Sequence, residues 1–196
     1  MKVAPVTLEM SGGVVRLVPL ESSHAGDLLA AGADPSVWTY LMEHPRTLDD
    51  MRGLIGRALD AQRSGREVPF AVVDVATGGA VGSTRYEDIL PAHRSLEIGW
   101  TWYGVPWQRT ACNTHCKYML FRHAFEVLGA VRVQLKADAR NLRSLAAIER
   151  IGAVREGTLR KHRILRDGFI RDSVCYSVIR EEWPAVKRRL EALARG

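Results

Sequence analysis

The stretch between residues 68 and 103 constrains the fold most. Runs at 68–75 and 80–86 are rich in valine and other strand-forming residues, and Ala76-Thr77-Gly78-Gly79 separates them. The two glycines permit the positive φ of a tight turn, so the pair reads as a β-hairpin. A third run, Leu96-Glu97-Ile98-Gly99-Trp100-Thr101-Trp102-Tyr103, closes on Gly104-Val105-Pro106 and extends the hairpin to a three-stranded meander. Strands of this kind need a partner layer on their buried face.

Amphipathic segments on either side supply that layer. Val14-Val15-Arg16-Leu17-Val18-Pro19-Leu20 alternates as a first strand, and Glu21-Ser22-Ser23 offers caps for a helix over 23–32. Thr47-Leu48-Asp49-Asp50 caps a second helix, in which Met51, Leu54, Ile55, Ala58 and Leu59 recur at helical spacing up to Ser64-Gly65. From Asn113 to Leu128 one helical face carries Cys116, Met119, Leu120, His123, Ala124, Val127 and Leu128, and Gly129 ends it. A strand at 131–139, a helix at 142–151 and strands near 155–164 and 171–179 about an Arg166-Asp167-Gly168 turn come next. A helix from 181 to 194 closes the chain. The class is mixed α/β, in the α+β sense. With 196 residues and no linker, residues 1–196 are expected to form one domain around one core.

Composition excludes several functions. Hydrophobic residues at 46% and charged residues at 26%, without a long apolar run, fit neither a disordered nor a membrane-spanning chain. Met1-Lys2-Val3-Ala4-Pro5 lacks the apolar core of a secretory signal, so a cytoplasmic location is expected. Cys112, Cys116 and Cys175 are too few for a disulfide framework. Cys112, His115 and Cys116 have no second ligand cluster, so no metal is expected. The net charge of +6 favours anionic partners, but the cations are spread along the chain. Arginines 140, 143, 150, 155, 160, 163 and 166 crowd the C-terminal third without a nucleic-acid-binding motif beside them. A phosphate-bearing cofactor accounts for them as well as nucleic acid does, and no nucleic-acid partner is expected.

The segment that carries chemistry is the strand 96–103, the turn Pro106-Trp107-Gln108-Arg109-Thr110-Ala111-Cys112-Asn113 and the helix behind it. Backbone N–H groups of such a turn, with the unpaired first turn of the helix and its dipole, form an anion site suited to a pyrophosphate.

Four stretches, in order and separation, resemble the GNAT superfamily of acyl-CoA N-acyltransferases, in particular its ribosomal-protein N-terminal (alanine/serine) acetyltransferase branch. They are Leu96 to Trp100, Gln108 to Asn113, Asn141 to Ala153, and Arg155-Glu156-Gly157-Thr158-Leu159-Arg160. The resemblance spans nearly the whole chain. It implies acetyl-CoA as co-substrate, its pyrophosphate on the turn Gln108, Arg109, Thr110, Ala111, Cys112 and Asn113. In that family the turn reads Q/R-x-x-G-x-G/A, and here Ala111 and Asn113 stand at the glycine positions. The resemblance further implies a largely antiparallel sheet splayed between strands 96–103 and 131–139, with the pantetheine pairing to main-chain groups of Trp102 and Tyr103. Asn141 would bond the pantetheine, and Ser144 would lie near the thioester sulfur.

Amine attack on a thioester needs a neutral amine and a protonated leaving thiol. Glu97, on the strand facing the acetyl group, is the leading carboxylate for the proton, its alternative role being an arginine partner or a solvent-side strand residue. His162 has a suitable intrinsic pKa among cations that lower it. Arg163 and Ile148 stand where family members carry a glutamate and a tyrosine acid, so catalysis chiefly by positioning remains open. The expected activity is acetyl transfer to a primary amine of a protein N-terminus, peptide or small molecule, and the alternative is a non-catalytic acyl-CoA sensor. The acceptor pocket is expected near 34–46 and 86–95, with Trp38, Tyr40, His44, Tyr86 and His93 as candidates. The oligomeric state stays open between monomer and homodimer.

Overall fold

The computed structural model describes residues 1–195. Strand β1 (Val15–Pro19) leads through a short 3-10 turn to helix α1 (Ala25–Ala31), and α2 (Leu48–Arg63) follows. Thr47 starts α2 with a reciprocal cap: its hydroxyl accepts from Asp50 N at 3.1 Å, and the Asp50 carboxylate accepts from Thr47 N at 3.0 Å. The meander is β2 (Val68–Asp74), β3 (Ala80–Leu90) and β4 (Ser95–Tyr103). Helix α3 (Cys112–Arg122) runs on into a π turn at His123–Val127, where Leu128 N reaches back to His123 O at 2.9 Å. Then come β5 (Arg132–Asp138), α4 (Leu142–Arg150), β6 (Val154–Ile164), β7 (Ile170–Ile179) and α5 (Trp183–Arg195).

The strands form one seven-stranded sheet in the order β1-β2-β3-β4-β5-β7-β6. Helices cover both faces, and the period-2 alternation of β2 shows why. Phe70 and Val72 join the core shared with α3 and α5, which includes Met119, Leu120, Trp183 and Leu190, whereas Ala71 and Val73 pack with Leu28, Met51 and Ile55 of α1 and α2. A strand buried on both faces therefore shows no polar residue at alternate positions.

Two departures from the sequence reading matter for the site. Strand β3 continues four residues past Tyr86, because the ladder to β4 continues through Glu87 opposite Glu97 and Leu90 opposite Ser95. Short 3-10 turns also stand at Pro35–Trp38, Pro91–His93 and Val105–Trp107, each with proline in its first turn.

Every neighbouring pair of strands is antiparallel except β4 and β5. That parallel pair holds at only three positions, Ser95 with Arg132, Leu96 with Val133 and Glu97 with Gln134. Beyond Glu97 the strands diverge, which is the expected splay. A bulge in β4 accompanies the divergence: Ser83 pairs with Trp102 and Arg85 with Gly99, so Trp100 and Thr101 share Thr84, with Trp100 at φ 48°. A tryptophan in this region costs about 1 kcal/mol. The Arg85 guanidinium covers its ring at 4.5 Å and is itself paired with Glu67 at 2.8 Å, which holds the bulge in place. On the β3 side Gly82 allows the close approach of β4, since a Cβ there would stand 2.3 Å from Trp102 O.

Candidate active site

The splay opens a cleft of about 840 Å³ lined by β4, β5, the starts of α3 and α4, residues 36–42, and parts of β3, β6 and β7. In the turn ahead of α3, Gln108 Nε2 donates to Tyr103 O at 2.9 Å, and Gln108 Oε1 accepts from Arg143. The Thr110 hydroxyl donates to Trp107 O at 2.8 Å and accepts from Cys112 N at 3.2 Å. His115 N is the first in α3 to reach a backbone carbonyl, that of Ala111, at 2.9 Å, and among the described residues the N–H groups of Asn113 and Thr114 meet no acceptor. They are the donors an anion would use.

The turn also accounts for the missing glycines. Ala111 has φ −64°, ordinary helical backbone, so nothing in its conformation asks for glycine. The left-handed residue is Arg109, at φ 60°. Asn113 Oδ1 accepts from the Tyr103 hydroxyl at 3.2 Å. Cys112 is buried beside Cys116, and a hydrogen-bonding interaction with the Cys116 thiol together with burial pushes its own thiol far up, so it stays protonated.

Asn141 caps α4, its Oδ1 accepting from Ser144 N at 3.1 Å, which leaves the side-chain NH₂ to donate into the cleft. Ser144 lines the cleft beside it, half-buried. On β4 the Trp102 carbonyl turns toward Gly82 of β3, whereas the Tyr103 carbonyl is taken by the Gln108 amide. Of the sequence-predicted residues, Trp102, Tyr103, Gln108, Arg109, Thr110, Asn113, Asn141, Ser144, Glu97 and His162 all line this one cleft, and Ala111 and Cys112 lie behind its wall.

On β4, Glu97 is 5% exposed, with Lys136 Nζ at 2.7 Å and Gln134 Nε2 donating at 3.1 Å. Lys136 also pairs with Asp88 at 3.2 Å. His162 Nδ1 lies 3.0 Å from Ser173 Oγ. Burial and then the charges of Arg163, Lys136 and Arg171 hold this imidazole below its ordinary range, so it is neutral at pH 7. Arg140 pairs with Asp138 at 2.8 Å and stacks 3.5 Å over the Phe169 ring, with Tyr40 beyond at 5.6 Å. Of the acceptor candidates, Tyr40 lines the cleft, Trp38 is wholly buried, His44 stacks on Trp38 and Tyr86 spends its hydroxyl on Leu120 O at 2.6 Å. His93 sits in the 3-10 turn after β3 and does not line the cleft.

Two ionisable groups in the cleft with pKa values moved to about 8 escaped the sequence reading. Glu87 faces Glu97 across the β3–β4 ladder, and its carboxyl is pushed up to about 8 by burial, then by the charges of Glu97 and Glu67. Lys117 of α3 is 6% exposed, donates to Thr101 Oγ1 at 3.2 Å and is pulled down to about 8 by burial. The traceable signals were a glutamate directly after the buried run of β3 and a lysine on the apolar face of α3. Among the described residues no helix is long and apolar enough to cross a membrane, and no cluster of three His, Cys, Asp or Glu is placed to hold a metal.

A sheet opened at one parallel pair, with a helix start and buried carboxylates lining the same cleft, is the architecture of a coenzyme-A-dependent acyltransferase. Residues 15–154 match the acetyltransferase (GNAT) domain family. A solved structure from T. thermophilus, named "putative acetyltransferase", is 41% identical, with a TM-score of 0.88 over 98% of this chain and 99% of that one. The Bacillus subtilis protein "Putative ribosomal N-acetyltransferase YdaF" is 29% identical over 76% of this chain and 80% of its own. RimJ of Mycobacterium smegmatis, solved in complex with CoA-disulfide, shares the fold at a TM-score of 0.79 and 24% identity, covering 97% of this chain and 96% of its own. The chain belongs to the GNAT acetyltransferase family, an N-acetyltransferase class that uses acetyl-CoA.

Proposed function

We propose that this chain, acting as one domain, transfers the acetyl group of acetyl-CoA to a primary amine by direct attack on the thioester. The observation that carries the reading is the continuity of the cleft. It joins the start of α3 to Glu97 and His162 in one space, so donor and acceptor can meet at the splay. In this reading the turn at 108–113 receives the pyrophosphate, the Asn141 NH₂ donates to the pantetheine, and the open edge of β4 serves as a strand-pairing template. Ser144 stands beside the sulfur and supplies a hydroxyl to the departing thiolate. Glu97, fixed by Lys136 and Gln134, and the neutral His162 line the approach of the amine.

The acceptor is a protein N-terminus, a peptide or a small amine, and the likeness to a relative named for ribosomal acetylation puts ribosomal-protein N-terminal peptides first in the screen. The test is thiol release from acetyl-CoA over a panel of such peptides and small amines, with calorimetry of CoA binding alongside. Turnover with at least one amine is expected. Tight CoA binding with silence across the panel would refute the transferase reading in favour of a sensor.

A further inference from the structure

We propose that Glu87, which the family resemblance does not mark, is the catalytic residue that takes the proton from the acceptor amine. This rests on the transferase reading above. Glu87 lines the cleft from β3, and its side chain lies over Gly99, where a Cβ would stand 1.5 Å from Glu87 Oε1. Gly99 immediately precedes the bulge at Trp100 and lies two residues past the last β4–β5 pair. The carboxyl is therefore held at the apex of the splay, in a space that exists because β4 has no side chain there. Its oxygens make no hydrogen bond or ion pair among the described residues, in contrast to Glu97, whose Oε2 is engaged by Lys136 and Gln134. Glu97 is thus already engaged by an ammonium at 2.7 Å, whereas the Glu87 oxygens are free to meet an incoming group.

The surrounding charges fit the role. Glu97 opposite on β4, Glu67 ahead of β2 and Asp88 on β3 raise the carboxyl, and Arg85 on β3 opposes them. Arg171 of β7 and, farther along the cleft, Lys136, His162 and Arg163 complete the charged groups on this side. With its proton affinity near that of an α-amine, Glu87 exchanges a proton with an incoming ammonium at little cost. In the step itself, the Glu87 carboxylate accepts one proton from the ammonium. The freed nitrogen lone pair forms the C–N bond at the acetyl carbonyl, and the C–S bond breaks with its electron pair going to sulfur. The sulfur takes the proton that the nitrogen then sheds, so the products are the amide and the free thiol, and Glu87 releases its own proton to solvent before the next cycle.

The experiment compares wild type, Glu87→Gln, Glu97→Gln and Gly99→Ala in kcat against pH, with two acceptors whose amines differ in pKa, so that a limb common to both belongs to the enzyme. CoA binding is measured by calorimetry. Glu87→Gln is expected to keep CoA affinity, lower kcat about 100-fold and lose the limb near pH 8. Gly99→Ala, which keeps the carboxyl but drives it out of its place, is expected to lose kcat similarly, whereas Glu97→Gln keeps the limb and moves it lower by removing a neighbouring charge. A Glu87→Gln profile of wild-type shape overturns the assignment alone. A wild-type protein that binds CoA and turns over no amine overturns the transferase reading and the assignment with it.

Discussion

Replacing Lys117 with methionine isolates the electrostatic cost of a lysine inside the sheet–helix layer. The ammonium sits on α3 with Thr101 Oγ1 as its one hydrogen-bond partner among the described residues, at 3.2 Å, and that hydroxyl also bonds Thr84 at 2.7 Å. Burial moves its pKa from 10.5 to about 8, with Cys116 and Glu97 opposing. At about 1.4 kcal/mol per pH unit, that difference is worth about 3 kcal/mol against the folded state whenever both states hold the proton, which is everywhere below pH 8. Methionine fills nearly the same volume without a charge, and the lost hydrogen bond takes back about 1 kcal/mol. Lys117→Met should therefore be more stable at pH 7 by about 2 kcal/mol, or roughly 4–8 °C in Tm for a chain of this size.

The sign with pH provides the sharper check. Between pH 8 and 10.5 the unfolded chain binds a proton at Lys117 that the folded one does not, so wild-type stability rises with pH through this window. The methionine variant lacks that contribution. Urea denaturation of both proteins at about pH 7 and about pH 9.5 should show the variant's advantage shrinking by about 2 kcal/mol, other titrations cancelling in the difference. An advantage independent of pH, or a variant less stable than wild type at pH 7, would refute the electrostatic reasoning.

Gly82→Ala places a Cβ 2.3 Å from Trp102 O and 3.0 Å from Tyr103 Cα, both main chain, so β3 and β4 must part; a loss of about 2–4 kcal/mol in denaturant melts is expected, with CoA binding weakened because the open edge of β4 moves. Asn141→Ala removes the α4 cap and should cost about 1 kcal/mol of stability while raising KM for acetyl-CoA; steady-state kinetics that leave KM unchanged would detach Asn141 from the donor.

Most of the architecture was legible because each local signal agreed with its neighbours. Gly78 and Gly79 marked the hairpin, the Thr47 capping box began α2, and the valine-rich run at 68–75 read as a strand. The end of β3 was not legible: Glu87, Asp88 and the left-handed Asp88 backbone read as loop, and it is the ladder to β4, a contact across the turn, that keeps them in strand. For the site, the order of motifs was enough to place Asn141, Ser144 and Gln108 on the same cleft as Glu97. Glu87 stayed hidden because its setting depends on the absence of a side chain at Gly99, on the neighbouring strand, and on charges from several other positions. A linear reading weighs a glutamate by its neighbours in sequence, whereas proton affinity depends on neighbours in space. The glycine positions of the 108–113 turn show the converse: the motif departs, but the helical φ of Ala111 makes the departure harmless to the backbone.

The three residue pairs that join β4 to β5 divide the sheet into a half built from β1 to β4 and a half built from β5 to β7. In the chain the two halves are joined by the crossover through α3, the kind of connection a parallel pair requires. The union is the seam with the fewest paired residues to hold it. An extended ligand lodged in that seam links the halves and adds to the union where the protein's own ladder stops. Amide hydrogen exchange along β4 and β5 should accordingly slow when acetyl-CoA is present, making the donor a fastener of the fold as well as a reactant.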